Sequence, residues 1–281
     1  MRSAGRSEEE PGNQTSPATM PAPLTERSAR VAAAVKLHRH VGRRRAGRFL
    51  AEGPNLIGAA SARGLVRDVF VTEAAAQRHA PLLAGLSAPV HLVTERAAKA
   101  LSDTVTPAGL VAVCDMLETR LDEALAGSPR LIAVAVEIGE PGNAGTLIRL
   151  AHAMGAGAVI LAGHSVDPYN GKCLRASAGS MFSIPVVVAP DAHAAVAALR
   201  DAGLRVLAST VDADTRLDEA DLARPTAWLF GAEAHGLAAD LAAAADHRVR
   251  IPMAGGAESL NVAAAAAICL YQSAQALGRL S

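Results

Sequence analysis

From Leu131 onward the chain alternates short, continuously apolar runs with helical patterns, and this restricts the fold more than any other feature. Strands are expected at Leu131–Glu137, Ala158–Leu161, Ile184–Val188, Arg205–Ser209, Ala227–Phe230 and His247–Ile251, with helices between them and a last long helix from about Ser259. A strand apolar on both faces must be covered on both, so a parallel sheet in an α/β fold follows. The first half carries a smaller α/β unit. Its strands are expected at 49–51, Val66–Val71, Val90–Val93 and Leu110–Val113, with helices at 54–63, Glu73–Leu83 and Glu95–Leu101.

Residues 1–24 are rich in Ser, Gly, Pro, Thr and Glu without periodicity and read as a disordered leader. The first unit is placed at 25–116. The stretch 117–130 is charged and closes on Gly127-Ser128-Pro129, which suits a linker with a helical turn, and the second domain is placed at 131–281.

Composition removes several functions. Aromatic residues make up only 2% of the 281, too few for a base-stacking platform or an aromatic sugar cleft. Lys plus Arg equals Asp plus Glu at 27 each, so attraction to phosphate must come from local segregation of charge. Such segregation exists between Arg27 and Arg48, a run without acidic residues that holds Arg43, Arg44, Arg45 and Arg48. Cys114, Cys173 and Cys269 are odd in number and far apart, which suggests neither a disulfide framework nor a zinc site and fits a cytoplasmic setting. No metal is expected. Neither a secretory signal nor a membrane span of ~18 apolar residues is present, so no membrane partner is expected.

Three strand ends in the second half run into polar loops bearing Gly or Pro: 137–146, 230–237 and 251–262. Ligands of open α/β sheets bind outside the carboxyl ends of strands, so these loops form the expected site. Any one of them alone is as readily a plain turn. Gly155-Ala-Gly157 lacks a third glycine, and Gly163-His-Ser165-Val-Asp167 lacks the last glycine of a nucleophile elbow.

Asn143-Ala-Gly145 with Arg149, then Phe230-Gly-Ala-Glu233, then Ile251-Pro-Met with Ser259-Leu-Asn261, resemble in this order the motifs of the SpoU (TrmH) class of SPOUT RNA ribose 2'-O-methyltransferases. The segment from Lys172 to Ser180 with Phe182 and Pro185 resembles that class as well. The stretch 47–54 is similar to the ribosomal-protein-like substrate-binding domain that many of these enzymes carry. The resemblance implies a C-terminal SPOUT domain with a trefoil knot, preceded by a small α/β RNA-binding domain, working as a homodimer with S-adenosyl-L-methionine. Periodicity shows no knot.

The same resemblance implies cofactor contacts at Gly231, Ile251 and Leu260, and catalytic roles for Arg149, Asn143, Glu233 and Asn261. Ala234 departs from it, standing where the motif usually has glycine. A guanidinium stays protonated in proteins, so Arg149 suits orientation of the 2'-hydroxyl and stabilisation of a developing alkoxide better than the role of base. A solvated helix arginine is the plainer reading, as helix capping is for Ser259. RNA contact is expected at Arg43, Arg44, Arg45, Arg48, Lys172 and Arg175. By analogy with the class, 23S ribosomal RNA is preferred to transfer RNA as substrate, with antibiotic resistance as one expected role. A catalytically silent RNA-binding assembly protein and a small-molecule methyltransferase are the alternatives.

Overall fold

The computed structural model describes residues 22–278. The first unit opens with α1 (Ala29–Val35) and α2 (His40–Ala46), followed by β1 (Arg48–Glu52), α3 (Pro54–Ala62) and β2 (Val66–Val71). It continues with α4 (Glu73–Arg78), α5 (Ala80–Ala84), β3 (Val90–Leu92), α6 (Glu95–Leu101) and β4 (Leu110–Asp115). The strands form one sheet in the order β1-β4-β2-β3, with β4 antiparallel to both neighbours and β2 parallel to β3.

A short helix, α7 (Leu121–Ala126), lies in the stretch read as a linker, its start tied by the Arg120 N–H donating to Glu123 Oε2 at 3.1 Å. The second unit then runs β5 (Leu131–Val136), α8 (Pro141–Ala153), β6 (Ala158–Ala162), α9 (Gly171–Ser177), β7 (Val186–Ala189), α10 (Ala192–Asp201) and β8 (Arg205–Ser209). It ends with β9 (Thr215–Arg216), β10 (Thr226–Phe230), α11 (Ala239–Ala244), β11 (His247–Arg250) and α12 (Val262–Ala276). All seven strands are parallel, in the order β7-β6-β5-β10-β8-β11-β9. The late strands β10 and β11 thus insert between strands laid down earlier, and every strand presents its carboxyl end to one side.

Three expectations need correction. The helix expected over Glu73–Leu83 breaks at His79 into α4 and α5, because Pro81 has no N–H for a helical bond and its ring clashes with the preceding turn. The last helix starts at Val262 and not at Ser259. Asn261 is its cap, its Oδ1 accepting from the N–H groups of Ala263 at 2.9 Å and Ala264 at 3.3 Å. The leader read over 1–24 lies outside the described residues except for its last three, and Leu24 pairs with Val93. The Leu24 N–H reaches the Leu92 carbonyl at 2.8 Å, which anchors the chain entry to the first sheet.

The two units share one apolar core. Phe49 of β1 lies 4.8 Å from the Tyr169 ring and 5.8 Å from that of Phe182, all three buried in the cluster that also holds Leu131 and Leu147. The Tyr169 hydroxyl donates to the Leu117 carbonyl at 2.5 Å and accepts from its N–H at 2.6 Å, fastening the connecting segment to the second unit.

Helix α8 meets α9 at Gly145. A Cβ there would collide with the Cys173 carbonyl and come within 2.7 Å of Ala176 Cβ and 3.0 Å of the Ser177 nitrogen. The glycine is required by the approach of two helices. Gly145→Ala is expected to cost about 1–3 kcal/mol, the usual cost of overpacking, read as a lowered Tm in thermal unfolding.

The three cysteines are buried, and desolvation pushes each thiol up to about 12 from 9.0. The folded state therefore holds protons that the unfolded chain releases above pH 9. The stability linked to these groups is complete below pH 9 and is lost as the pH climbs from 9 to about 12. At pH 8 a thiol reagent is expected to label none of them before unfolding and all of them after.

Candidate active site

The loops that leave β5, β10 and β11 gather at the carboxyl end of the parallel sheet. The first turns out of β5 at Glu137, which holds a left-handed φ of 54°, uncommon for a residue with a side chain. The Ile138 N–H then donates to Ser165 Oγ at 3.1 Å, so the loop is pinned before α8 begins. Glu140 caps α8 by accepting from the Gly142 N–H at 3.1 Å, and Pro141 fits the first turn, where no N–H is needed. Lys172 on α9 reaches the same carboxylate at 2.6 Å, and this contact, with the Gly142 N–H, holds Glu140 below the usual carboxylate range.

Asn261 joins the three loops. Its Oδ1 faces α12 as the cap, which turns Nδ2 outward. Nδ2 donates to Asn143 Oδ1 at 3.3 Å and to Glu233 Oε1. Three of the four expected catalytic residues therefore meet through one amide. Arg149 does not join them. It lies six residues beyond Asn143 on α8, about 9 Å along the axis and on another face, exposed and without an ion pair or hydrogen-bond partner among the described residues.

Beside this junction opens a cleft of about 440 Å³, with Gly231, Ile251 and Leu260 all on its wall together with Phe230 and Met253. Sequence reasoning missed Thr210 and Asp212, which also line it from the loop after β8. The rule that ligands sit at strand ends covers that loop too, but Thr210-Val211-Asp212 has no Gly or Pro to draw notice.

Gly231 and Gly236 each have a reason within the loop itself to be glycine. A Cβ on Gly231 would strike the backbone of Gly236 and Leu237, while Gly236 sits at φ 65° with open space around it. The loop folds back on itself, with Ala232 bridged to Gly236. Ala234 keeps a negative φ, so alanine is accommodated there without strain.

The cleft suits S-adenosylmethionine. Apolar walls can take the adenosyl part, Asp212 and Glu233 offer negative charge to a cation, and Thr210 Oγ1 is buried without a partner. Among the described residues no His, Cys, Asp and Glu group could hold a metal ion, and no helix is long and apolar enough to cross a membrane.

The residues expected to touch RNA separate into two groups. Arg43 is a correction: it is 5% exposed and fully engaged. Its Nε and Nη2 donate to Asp167 Oδ2 at 2.8 and 2.6 Å, and Nη1 donates to the carbonyls of Leu37 at 3.0 Å and His38 at 2.9 Å. Helical geometry turns it inward while its neighbours face solvent, so no phosphate reaches it. Arg44 and Arg45 are exposed, with Arg44 3.8 Å from Glu118. Arg48 pairs with Asp115 at 3.3 Å, and Arg175 with Asp103. Lys172 reaches the loop after β5 through Glu140.

A parallel sheet with three joined carboxyl-end loops and a cleft beside them marks an α/β protein with a ligand site at its strand ends, and comparison with known proteins gives its family. The model of the SpoU rRNA Methylase family matches residues 130–271, and that of the MRM3-like substrate binding domain matches residues 28–112. The chain is 34% identical to the 23S rRNA (guanosine(2553)-2'-O)-methyltransferase RlmP of Bacillus subtilis over 237 residues, which are 84% of this chain and 92% of that protein. A crystal structure of an RNA 2'-O ribose methyltransferase superposes with a TM-score of 0.79 at 34% identity, covering 90% of this chain and 98% of the other. The SpoU methyltransferase AviRb from Streptomyces viridochromogenes, solved in complex with AdoMet, gives 0.78 at 31% identity, covering 88% and 98%. The chain belongs to the SpoU family of RNA 2'-O-methyltransferases.

Proposed function

We propose that this SpoU-class enzyme methylates a ribose 2'-hydroxyl of 23S ribosomal RNA, using S-adenosylmethionine held in the cleft of Gly231, Ile251 and Leu260. The observation that carries the reading is the amide of Asn261, which brings Asn143 and Glu233 of two other motif loops to one point beside that cleft. The preference for 23S rests on similarity to a 23S rRNA enzyme that runs through both units of the chain. The active form is taken as a homodimer, since Ile268 and Tyr271 of α12 expose apolar surface, with the second domain knotted as in its class.

When bound, the cofactor supplies an electrophilic methyl group on sulfur. Glu233 and Asn143, fixed through Asn261, hold the loops that shape the reacting end of the cleft. The Arg149 guanidinium is exposed and positively charged, and we assign it to orienting the 2'-oxygen and stabilising the negative charge that develops there. It stays protonated, so the hydroxyl proton leaves to water or to an RNA phosphate oxygen.

We assign the first unit to RNA. Arg44, Arg45 and Arg48 present charge outward from α2 and β1, and Lys172 presents it beside the catalytic loop. Equilibrium binding to 23S and transfer RNA over a range of salt tests this. Arg45→Gln is expected to reduce the slope of log K against log salt by roughly 0.7–0.9, the share of one phosphate contact. An unchanged slope removes Arg45 from the interface, and tighter binding of transfer RNA reverses the substrate preference. The reading extends to a cytoplasmic enzyme that protects ribosomes from an antibiotic, tested by whether its expression raises the inhibitory concentration of such a drug.

A further inference from the structure

We infer that α9 is the element that sets which ribose is methylated, by locking the RNA-holding unit to the catalytic helix through Arg43–Asp167 on one side and Asp103–Arg175 on the other. The inference rests on the functional reading above and adds positioning residues to it.

The first lock begins inside the basic helix α2. Arg44 and Arg45 face outward, whereas Arg43 turns in and places two N–H groups on one oxygen of Asp167. The other oxygen of Asp167 accepts from the Tyr169 N–H at 2.9 Å, so the carboxylate is fixed from both sides. Asn170 follows at once and caps α9 by accepting from the Lys172 N–H at 2.9 Å. A displacement of α2 is therefore a displacement of the start of α9.

The second lock acts on the same helix. Asp103, in the loop after α6, lies so close over Gly171 that a Cβ there would collide with its carboxylate, and it pairs with Arg175 one turn further on. Glu52 of β1 stands 3.9 Å from the same guanidinium. Its Oε1 accepts from Ser102 Oγ at 2.6 Å and from Thr104 Oγ1 at 3.0 Å, so the loop that carries Asp103 is itself held.

From α9 the path to the chemistry is rigid. Helix α9 seats on α8 at Gly145, where Ala176 and Ser177 leave no room for a side chain. Lys172 clasps Glu140, the cap of α8, three residues before Asn143. The exposed arginines that hold RNA and the residues that act on the ribose thus belong to one train of contacts that runs through α9. The distance between grip and reaction centre is fixed by these pairs, and with it the choice of ribose.

The test uses the full chain with labelled S-adenosylmethionine and 23S RNA, in three forms: unaltered, Asp167→Asn and Asp103→Asn. Asp103 is 39% exposed, so its variant keeps the test open if the more buried Asp167→Asn fails to fold. Affinity for RNA and for S-adenosylmethionine is expected to stay within about threefold, since neither residue touches either ligand in this account. Turnover at the normal ribose is expected to fall, toward the roughly 10²-fold loss that a misplacement of about 1 Å brings, and part of the label to move to neighbouring riboses. A purely structural role would lower Tm and the active fraction and leave the label pattern unmoved, and that outcome overturns the inference. Weakened RNA binding by either variant also overturns it, because these residues would then serve the grip itself. Absence of label with the unaltered protein overturns the functional reading, and this inference with it.

Discussion

Arg149→Ala is expected to lower the rate of methyl transfer in a single turnover by about 10²–10³-fold, the range for removal of one group that stabilises a developing oxyanion. Binding of S-adenosylmethionine should be unchanged. The two effects separate because Arg149 stands apart from the cleft wall made by Gly231, Ile251 and Leu260. The guanidinium carries no structural load among the described residues, since it is exposed and makes no ion pair or hydrogen bond. Its loss should change the free energy of unfolding by no more than an ordinary surface change, within about ±0.5 kcal/mol. Arg149→Lys should retain part of the rate, because it keeps the charge and loses the planar fork. A variant that turns over within threefold of the parent would remove the role assigned to this residue.

Gly231→Ala should act on the other half of the site. The added methyl has to displace the backbone of Gly236 and Leu237, and backbone cannot step aside as a flexible side chain can. Overpacking of this kind costs about 1–3 kcal/mol, which is roughly 5- to 150-fold in affinity if the folded-back loop is what the cofactor recognises. Calorimetric titration with S-adenosylmethionine reads the loss directly. Gly127→Ala is the control, because it has an ordinary φ of −77° and nothing within 4 Å. Equal affinity for the Gly231 variant and its parent would show that the loop tolerates opening and that the cleft is held by other contacts.

Much of the fold could be read in advance because the strands of a doubly covered sheet must be apolar throughout. The expectation for Arg205–Ser209 coincides with β8 to the residue, and those for the other five strands of the second half differ only at their ends. Edge strand β9 was not legible, being two residues long and too short to show a period. The break between α4 and α5 was legible in Pro81, and apolar periodicity across it led to the wrong reading.

The site divides in the same way. The loops were found because Gly and Pro gathered with polar residues at strand ends, whereas capping was read at Ser259 and is carried out by Asn261, two residues on. What local sequence could not give was partnership across the fold. Arg43 looks like its neighbours Arg44 and Arg45 in the chain, yet its carboxylate partner lies 124 residues away. A charge run shows how many cations are present, and only the three-dimensional arrangement shows which of them face solvent. Nor could local sequence give the close return of the second motif's loop, whose Gly236 and Leu237 backbone leaves no room for a Cβ on Gly231.

The most direct test of the account is to incubate the protein with methyl-labelled S-adenosylmethionine and separated 23S, 16S and transfer RNA from cells lacking the gene, then to map the label after alkaline hydrolysis. The account predicts alkali-resistant label at one ribose of 23S RNA, absent with Arg149→Ala. No label in any of these RNAs, nor in intact ribosomal subunits, would contradict it.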